Sequence, residues 1–503
     1  MLIPTTTQGR ANRCGFRKRR WETVIVFWFL LMHAPLHSVG FAGGSEKPNV
    51  LLILSDDHSV PHLGCYGDVN CKRFNVSPNL DAFAEQSMSF RRAYTTSPQC
   101  APSRISIFTG RSPVGLGVTR FAQPPRSNVQ FFTDVLRDNG YWVGLDGRHQ
   151  HLDGRVKEDE HIDAVLQSEG MQNLETRFDH FVRNAKTKGA ELLNVGDRLT
   201  AALDHVPDQK PFFLYFGFNQ PHRRFGEKYD GIDPAQLNLP DDWPDLPEVR
   251  LDYARYLTEV RDLDFGFGLI LETLQSRGID KNTIVIFMGD NGEALLRGKG
   301  TLHPRGIHVP LMIRWPGTVK AGSESHALVS GLDLGATILD AAGIAAANKI
   351  QGHSFFLELV DKTFKGREYL FAERGWHWGP ITRTDGLDLS RSITTERFHL
   401  IYNALPDRAY TPVDMSRKDA WLAVLSSHDA GHLSSLHEEL YFKNPRPIIE
   451  LYDLQNDPLA LNNRSGHKPY REIETQLLRE LEKWMIREHD YLPLPSHALL
   501  HER

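Results

Sequence analysis

The residues best suited to chemistry fall into a group of oxygen donors, a group of cations and one cysteine set apart. Asp56-Asp57 and Asp290-Asn291 each follow an apolar run, and all four are hard oxygen donors. Such a set favours Ca²⁺ or Mg²⁺ over zinc, and the ion would polarise a substrate oxygen and lower the pKa of a hydroxyl. Taken singly, Asp56-Asp57 also suits a helix cap, and Asp290-Asn291-Gly292 a simple turn. The cations are Arg148 with His149 and His151, His222 after Pro221, and Lys299 between Gly298 and Gly300, whose glycines let an ammonium approach an anion closely. Arg223 and Arg224 suit a carboxylate or a second anionic group. Arg374, His377 and the indoles of Trp376 and Trp378 suit a sugar, although core packing or a solvated surface serves these residues equally well. Cys100 opens the segment Cys100-Ala101-Pro102-Ser103-Arg104, where a planar guanidinium lies four residues on and is suited to oxyanions.

These residues must be positioned by the elements that precede them. Pro48–Ser55, Pro211–Phe218 and Thr283–Met288 are short continuous apolar runs, the pattern of buried strands in a largely parallel sheet. Each ends in polar residues: Asp56-Asp57, Asn219-Gln220-Pro221-His222, and Gly289-Asp290-Asn291-Gly292. Open α/β sheets build their sites at the strands' carboxyl ends, so three such exits predict one shared site. A helix is expected from Ser77, with Ser77 as N-cap and Pro78 at N1. A long amphipathic helix is expected over Arg250–Arg277, closed by Gly278. Alternating strands and helices give an α/β fold. Beyond about Gly375 the pattern changes. Arg391–Tyr402 alternates as a half-buried strand, Ile448–Leu454 reads as another, and Tyr470–His489 as an amphipathic helix. The expected organisation is a segment 1–42 for export, a catalytic domain over 43–385, and a C-terminal subdomain over 386–503 with a small antiparallel sheet and a helix.

Length, composition and the ends agree with this. The 503 residues are 40% hydrophobic and 24% charged with a net charge of −5, which is ordinary for a globular protein. The one dense basic run, Arg17-Lys18-Arg19-Arg20, is no nucleic-acid stripe. It precedes the short apolar stretch Val24–Met32 and small residues near Ala42, which reads as a secretory signal, with an uncleaved anchor as the rival reading. No other long apolar run occurs, so no membrane span is expected in the mature chain. Of the remaining cysteines, Cys65 and Cys71 lie close enough to form a small disulfide loop or to remain two free thiols, leaving Cys100 alone.

Cys100-Ala101-Pro102-Ser103-Arg104 matches the C-x-P-S-R signature of the formylglycine-dependent (type I) sulfatases, which the chain resembles from about Pro48 to about Asp490. Within that family it looks most like heparan N-sulfatase (sulfamidase), with related bacterial polysaccharide sulfatases sharing the framework. Asn219–Arg223, Glu450–Asp453, Asn456-Asp457-Pro458 and Lys483-Trp484 carry that likeness. The resemblance implies an alkaline-phosphatase-superfamily fold: a large mixed sheet sandwiched by helices, plus the smaller C-terminal sheet. It implies that Cys100 is oxidised to formylglycine by a formylglycine-generating enzyme. It also implies that Asp56, Asp57, Asp290 and Asn291, with residue 100, hold a metal, calcium being favoured over magnesium. An aldehyde hydrate offers two hydroxyls on one carbon: one attacks sulfur, and the other then expels sulfate by re-forming the aldehyde. Arg104, Arg148, His151, His222 and Lys299 would complete the site, Arg148 standing where the family has lysine. One residue is added before the histidine, so His149 is the alternative to His151. The implied function is hydrolysis of sulfate from a sulfated carbohydrate, as O-sulfate or N-sulfamate. The implied location is exported: periplasmic or secreted, or lysosomal in a eukaryote. The rivals are a phosphodiesterase or phosphonate hydrolase of the same superfamily, and a non-catalytic glycan-binding protein.

Overall fold

The computed structural model describes residues 47–495 except 122, 154–159, 170–173, 184, 230, 347–349 and 378–385. The expected export segment 1–42 and Trp378 lie outside the described residues. Among those described, no helix is long and apolar enough to cross a membrane.

The central strand β1 (Asn49–Ser55) is buried because both sheet faces are covered. Its residues divide by the two-residue period: Val50, Leu52 and Leu54 join one core, Leu51 and Ile53 the other. The other strands are β2 (Met88–Phe90), β3 (Ala93–Tyr94), β4 (Trp142–Asp146), β5 (His180–Val182), β6 (Phe212–Gly217), β7 (Thr283–Gly289), β8 (Leu311–Arg314), β9 (Ser323–Ser325), β10 (Val329–Ser330), β11 (Leu370–Arg374), β12 (Ser390–Thr394), β13 (Phe398–Asn403) and β14 (Ile449–Asp453). Among the described residues, an eight-stranded sheet runs β5-β4-β6-β1-β7-β8-β2-β9. β1 is parallel to both β6 and β7, whereas β8 is antiparallel to β7 and β2, so the sheet is mixed as expected. Phe213 and Tyr215 of β6, and Ile286 and Met288 of β7, share a core with Phe108 of the helix Cys100–Thr109. On the other face, Leu214, Phe216, Val285 and Phe287 meet Leu257, Val260, Leu263 and Phe267 of the helix Pro247–Ser276. Covering both faces is what turns these strands into unbroken apolar runs.

Several boundaries differ from expectation. The helix Pro78–Ala84 has Pro78 in its first turn, but the Ser77 hydroxyl caps nothing: it accepts from Gly64 N at 3.0 Å and bonds Asp81. Arg391–Tyr402 is a hairpin of two strands buried at every position except Phe398, not one half-buried strand. The Thr395 hydroxyl closes its turn by accepting from Phe398 N at 2.8 Å. β12 pairs with β11 and β13, and β13 with β14, giving the expected small antiparallel sheet. The helix Arg471–Arg487 covers it with Leu477, Leu478, Leu481 and Trp484. This sheet begins at Leu370, before the expected junction at 385/386. Two helices without a clear sequence signal, Asp419–Asp429 and Ser435–Phe442, place Trp421, Val424 and Tyr441 in the core beside Pro247–Ser276. Cys65 and Cys71 are free thiols, as is Cys100.

Candidate functional site

The register brings the strand exits together. Leu54 pairs with Gly217 and Met288, and Ser55 with Gly289, so β1, β6 and β7 all end at one edge of the sheet. The loops beyond are tied to one another: Asp56 N donates to Gln220 O at 2.9 Å, and His58 N to Asn291 O at 2.7 Å. Asp57 N donates to Asp290 Oδ1 at 2.9 Å, and Asn291 Nδ2 to Asp57 Oδ1 at 2.9 Å. Asp57 and Arg148 have φ of 63° and 56°, a conformation uncommon for non-glycine residues and enriched at functional sites.

Cys100 opens a helix whose residues are all buried. Its thiol donates to Asp56 Oδ1 at 3.3 Å and to Asp57 Oδ1 at 3.7 Å. Asp56, Asp57, Cys100 and His222 each offer a ligand atom within 4.8 Å of one another, and so do Asp56, Cys100, His151 and Asp290. Asn291 Oδ1 is buried and meets no hydrogen-bond donor among the described residues. A carbonyl oxygen without a donor beside three carboxylates fits a hard divalent cation. Burial also pushes Asp290 up to about 6 and raises Asp57, despite Arg104 and Lys299 respectively, so the acids crowd one another in a way that a cation would relieve. Burial and Asp56 raise the Cys100 thiol well above its ordinary range. In the cation-free site this is the opposite of the lowered pKa on which a reactive cysteine depends.

The cations surround this centre. Arg104 is wholly buried; Nε donates to Asp290 Oδ2 at 2.8 Å, Nη2 lies 3.5 Å from Asp56 Oδ2, and Nη1 bonds the Tyr215 hydroxyl. Arg148 pairs with Asp56, and His151 Nε2 lies 3.3 Å from Arg148 Nη2. His149 instead packs edge-on to Phe181 at 5.6 Å, so the structure brings His151 to the cluster and not the alternative. Lys299 Nζ lies 2.9 Å from Asp57 Oδ1. A Cβ on Gly298 would meet Glu293 O at 2.1 Å, and Gly300 has φ 79°, so both neighbours of the lysine must be glycine. Burial opposes the Lys299 charge, but Asp414 and Asp57 hold it well above the ordinary lysine range. His222 Nε2 is 3.7 Å from Asp57 Oδ2, and burial and Lys299 push its pKa down to about 4.

Comparison with known proteins decides what this constellation belongs to. Residues 48–344 match the sulfatase family model, and residues 292–420 match the model for the C-terminal part of N-sulphoglucosamine sulphohydrolase. The chain belongs to the sulfatase family. By that membership it is an enzyme of the sulfuric ester hydrolase class. An ulvan-active sulfatase of Formosa agariphila is 25% identical over 484 residues, covering 91% of this chain and 78% of that protein. Human N-sulphoglucosamine sulphohydrolase is 27% identical over 495 residues, covering 90% of this chain and 93% of its own. A structure solved in complex with its substrate, D-glucosamine-2-N,6-O-disulfate, aligns with a TM-score of 0.65 at 19% identity, over 90% of this chain and 100% of that one. It has the same fold.

In this sulfatase not every expected residue reaches the cluster. Arg223 is bidentate with Asp252, Nη1 donating to Oδ1 at 2.9 Å, and its Nε donates to Ala294 O at 2.9 Å. Arg223, expected among the substrate-binding groups, is engaged within the fold through these bonds, while Arg224 is exposed. Arg374 is buried with Nη1 3.9 Å from Asp388 Oδ2. His377 does reach the cluster's margin, where Nδ1 meets Gln99 Nε2 at 3.1 Å. Sequence reasoning missed Asp414, which lies 2.8 Å from Lys299 Nζ and 3.4 Å from His377 Nε2. No motif surrounds it. Tyr215 was missed too, although a hydroxyl inside the apolar run Phe212–Phe216 was a usable signal.

Proposed function

We propose that this sulfatase removes sulfate from a sulfated carbohydrate, as an O-sulfate ester or N-sulfamate, with Cys100 converted to formylglycine by a maturation enzyme. The observation that carries this reading is residue 100, held 3.3 Å and 3.7 Å from the two acids at the end of β1 in a ring of three cations. Both relatives named above are sulfatases, and the human one is named for a sulphated glucosamine.

Asp56, Asp57, Asp290 and Asn291, with residue 100, would hold a divalent cation, calcium by preference because every donor is a hard oxygen in an irregular cage. When bound, that ion supplies Lewis-acid polarisation of a sulfate oxygen. Arg104 orients residue 100 by fixing Asp290 and Asp56. Arg148 and Lys299 neutralise the sulfate oxygens, and their buried guanidinium and ammonium act with less screening than in water. His151 accepts or returns a proton at residue 100. His222 receives its proton as the anionic sulfate arrives beside Nε2, and then donates to the leaving oxygen or nitrogen. Arg374 and His377 would face the sugar, and Arg224 would meet it at the exposed rim. The chain would work as an exported enzyme, with a catalytic part near 43–385 and a C-terminal part over 386–503 that walls the site. Residues 1–42 would be removed.

The test is turnover of an aryl sulfate and of defined sulfated oligosaccharides by wild type and Cys100→Ala. Wild type is expected to release sulfate, and the variant to lose at least ~10³-fold in kcat/KM with its thermal transition unchanged. Equal turnover by the folded variant would end this reading.

A further inference from the structure

Asp414 is a second carboxylate on the Lys299 ammonium, beside Asp57. It is supplied by the loop Thr411–Ser416, between the strand Phe398–Asn403 and the helix Asp419–Asp429, and has φ 63°. One carboxylate oxygen lies 2.8 Å from Lys299 Nζ and 3.9 Å from His222 Nε2, and the other 3.4 Å from His377 Nε2. Its side chain is 28% exposed and that of His222 26%, whereas that of Lys299 is 1% exposed, so Asp414 and His222 face the opening with the lysine beneath them. Burial opposes its charge, but Lys299 and His377 hold the carboxyl well below the ordinary range.

We propose that Asp414 is a specificity-determining residue that sets the charge of the accepted ester: by cancelling the outer half of the Lys299 charge it favours a monoanionic sulfate ester over a dianionic phosphate monoester. The reasoning rests on the sulfatase reading above. Lys299 carries one positive charge and already touches two carboxylates. A further negative charge near its ammonium penalises a dianion by one more Coulomb interaction than a monoanion. The two esters are otherwise similar tetrahedral oxyanions, so charge is the property on which such a residue can discriminate.

The test uses wild type, Asp414→Asn and Asp414→Glu, each with formylglycine verified at position 100 and its thermal transition measured. Three nitrophenyl substrates are compared: the sulfate (monoanion), a phosphonate monoester (monoanion) and the phosphate monoester. Above about pH 6 the last is a dianion, and below it a monoanion. At about pH 8, Asp414→Asn is expected to raise the phosphate-to-sulfate ratio of kcat/KM about tenfold over wild type. The phosphonate-to-sulfate ratio should be unchanged, and Asp414→Glu should restore the wild-type ratio. A structural role for Asp414 would lower all three activities together and leave the ratios alone, overturning the proposal. A wild type that cleaves no sulfate ester would instead sink the reading beneath it.

Discussion

Arg223 and Arg224 follow the same histidine, yet they are expected to respond to mutation in opposite ways. Breaking the half-hidden bidentate pair of Arg223 with Asp252 leaves a carboxylate without its partner, so Arg223→Ala should cost about 3 kcal/mol in denaturant unfolding while KM of the surviving protein changes little. Arg224→Ala, at an exposed position, should stay within about 0.5 kcal/mol. The cation site gives a pH dependence. Asp290 is pushed up to about 6 in the cation-free protein, so below that value a proton occupies it and must leave when a cation binds. Calorimetric Ca²⁺ titration should give an affinity that falls about tenfold per unit as pH drops below about 6, and levels off above it. Which side chains are available and which are spent is not written in residue type. Arg223 and Arg224 read alike in the sequence, and what separates them is Asp252, on the helix Pro247–Ser276, and the carbonyl of Ala294.

At the scale of elements, the three core strands and the long helix were legible because an unbroken apolar run bounded by polar residues has few other uses. The hairpin over Ser390–Asn403 was not. Every position of its two strands except Phe398 is buried, so the alternation expected of a half-exposed strand gave no sign of the turn after Thr394. The edge strand β11 carries a consequence for stability. Burial pushes Glu373 up to about 7 against the pull of Arg391, and both its carboxylate oxygens lack a hydrogen-bond partner among the described residues. Folding therefore favours its protonated form. The contribution is complete below the unfolded value of about 4.3 and is lost as pH rises through about 7. Wild type should lose about 3 kcal/mol from this group between about pH 4 and about pH 8, and Glu373→Gln should flatten that part of the profile. Chemical denaturation at several pH values checks it, and parallel profiles for the two proteins would contradict it.

For the whole molecule, the shared site was predictable from three strand exits, but the contribution of the C-terminal part was not. The chain leaves the small sheet after β13, returns to the main core through Trp421 and Tyr441, and only then adds β14. Asp414 reaches Lys299 through that excursion, a contact between residues 115 positions apart that no local motif signals. The same route predicts that the parts unfold together. Trp421→Ala, which removes a large buried ring, should cost about 3–5 kcal/mol and lower a single calorimetric transition. Two transitions with only one displaced would show independent parts. All of the proposed chemistry depends on what residue 100 is in the working enzyme, because only an aldehyde hydrate offers two hydroxyls on one carbon. The most direct measurement is peptide mass spectrometry across Cys100 on protein whose sulfatase turnover has been recorded. The expected result is an aldehyde at position 100 in a fraction that rises with specific activity. Full activity from protein whose residue 100 is entirely unmodified cysteine would contradict the account.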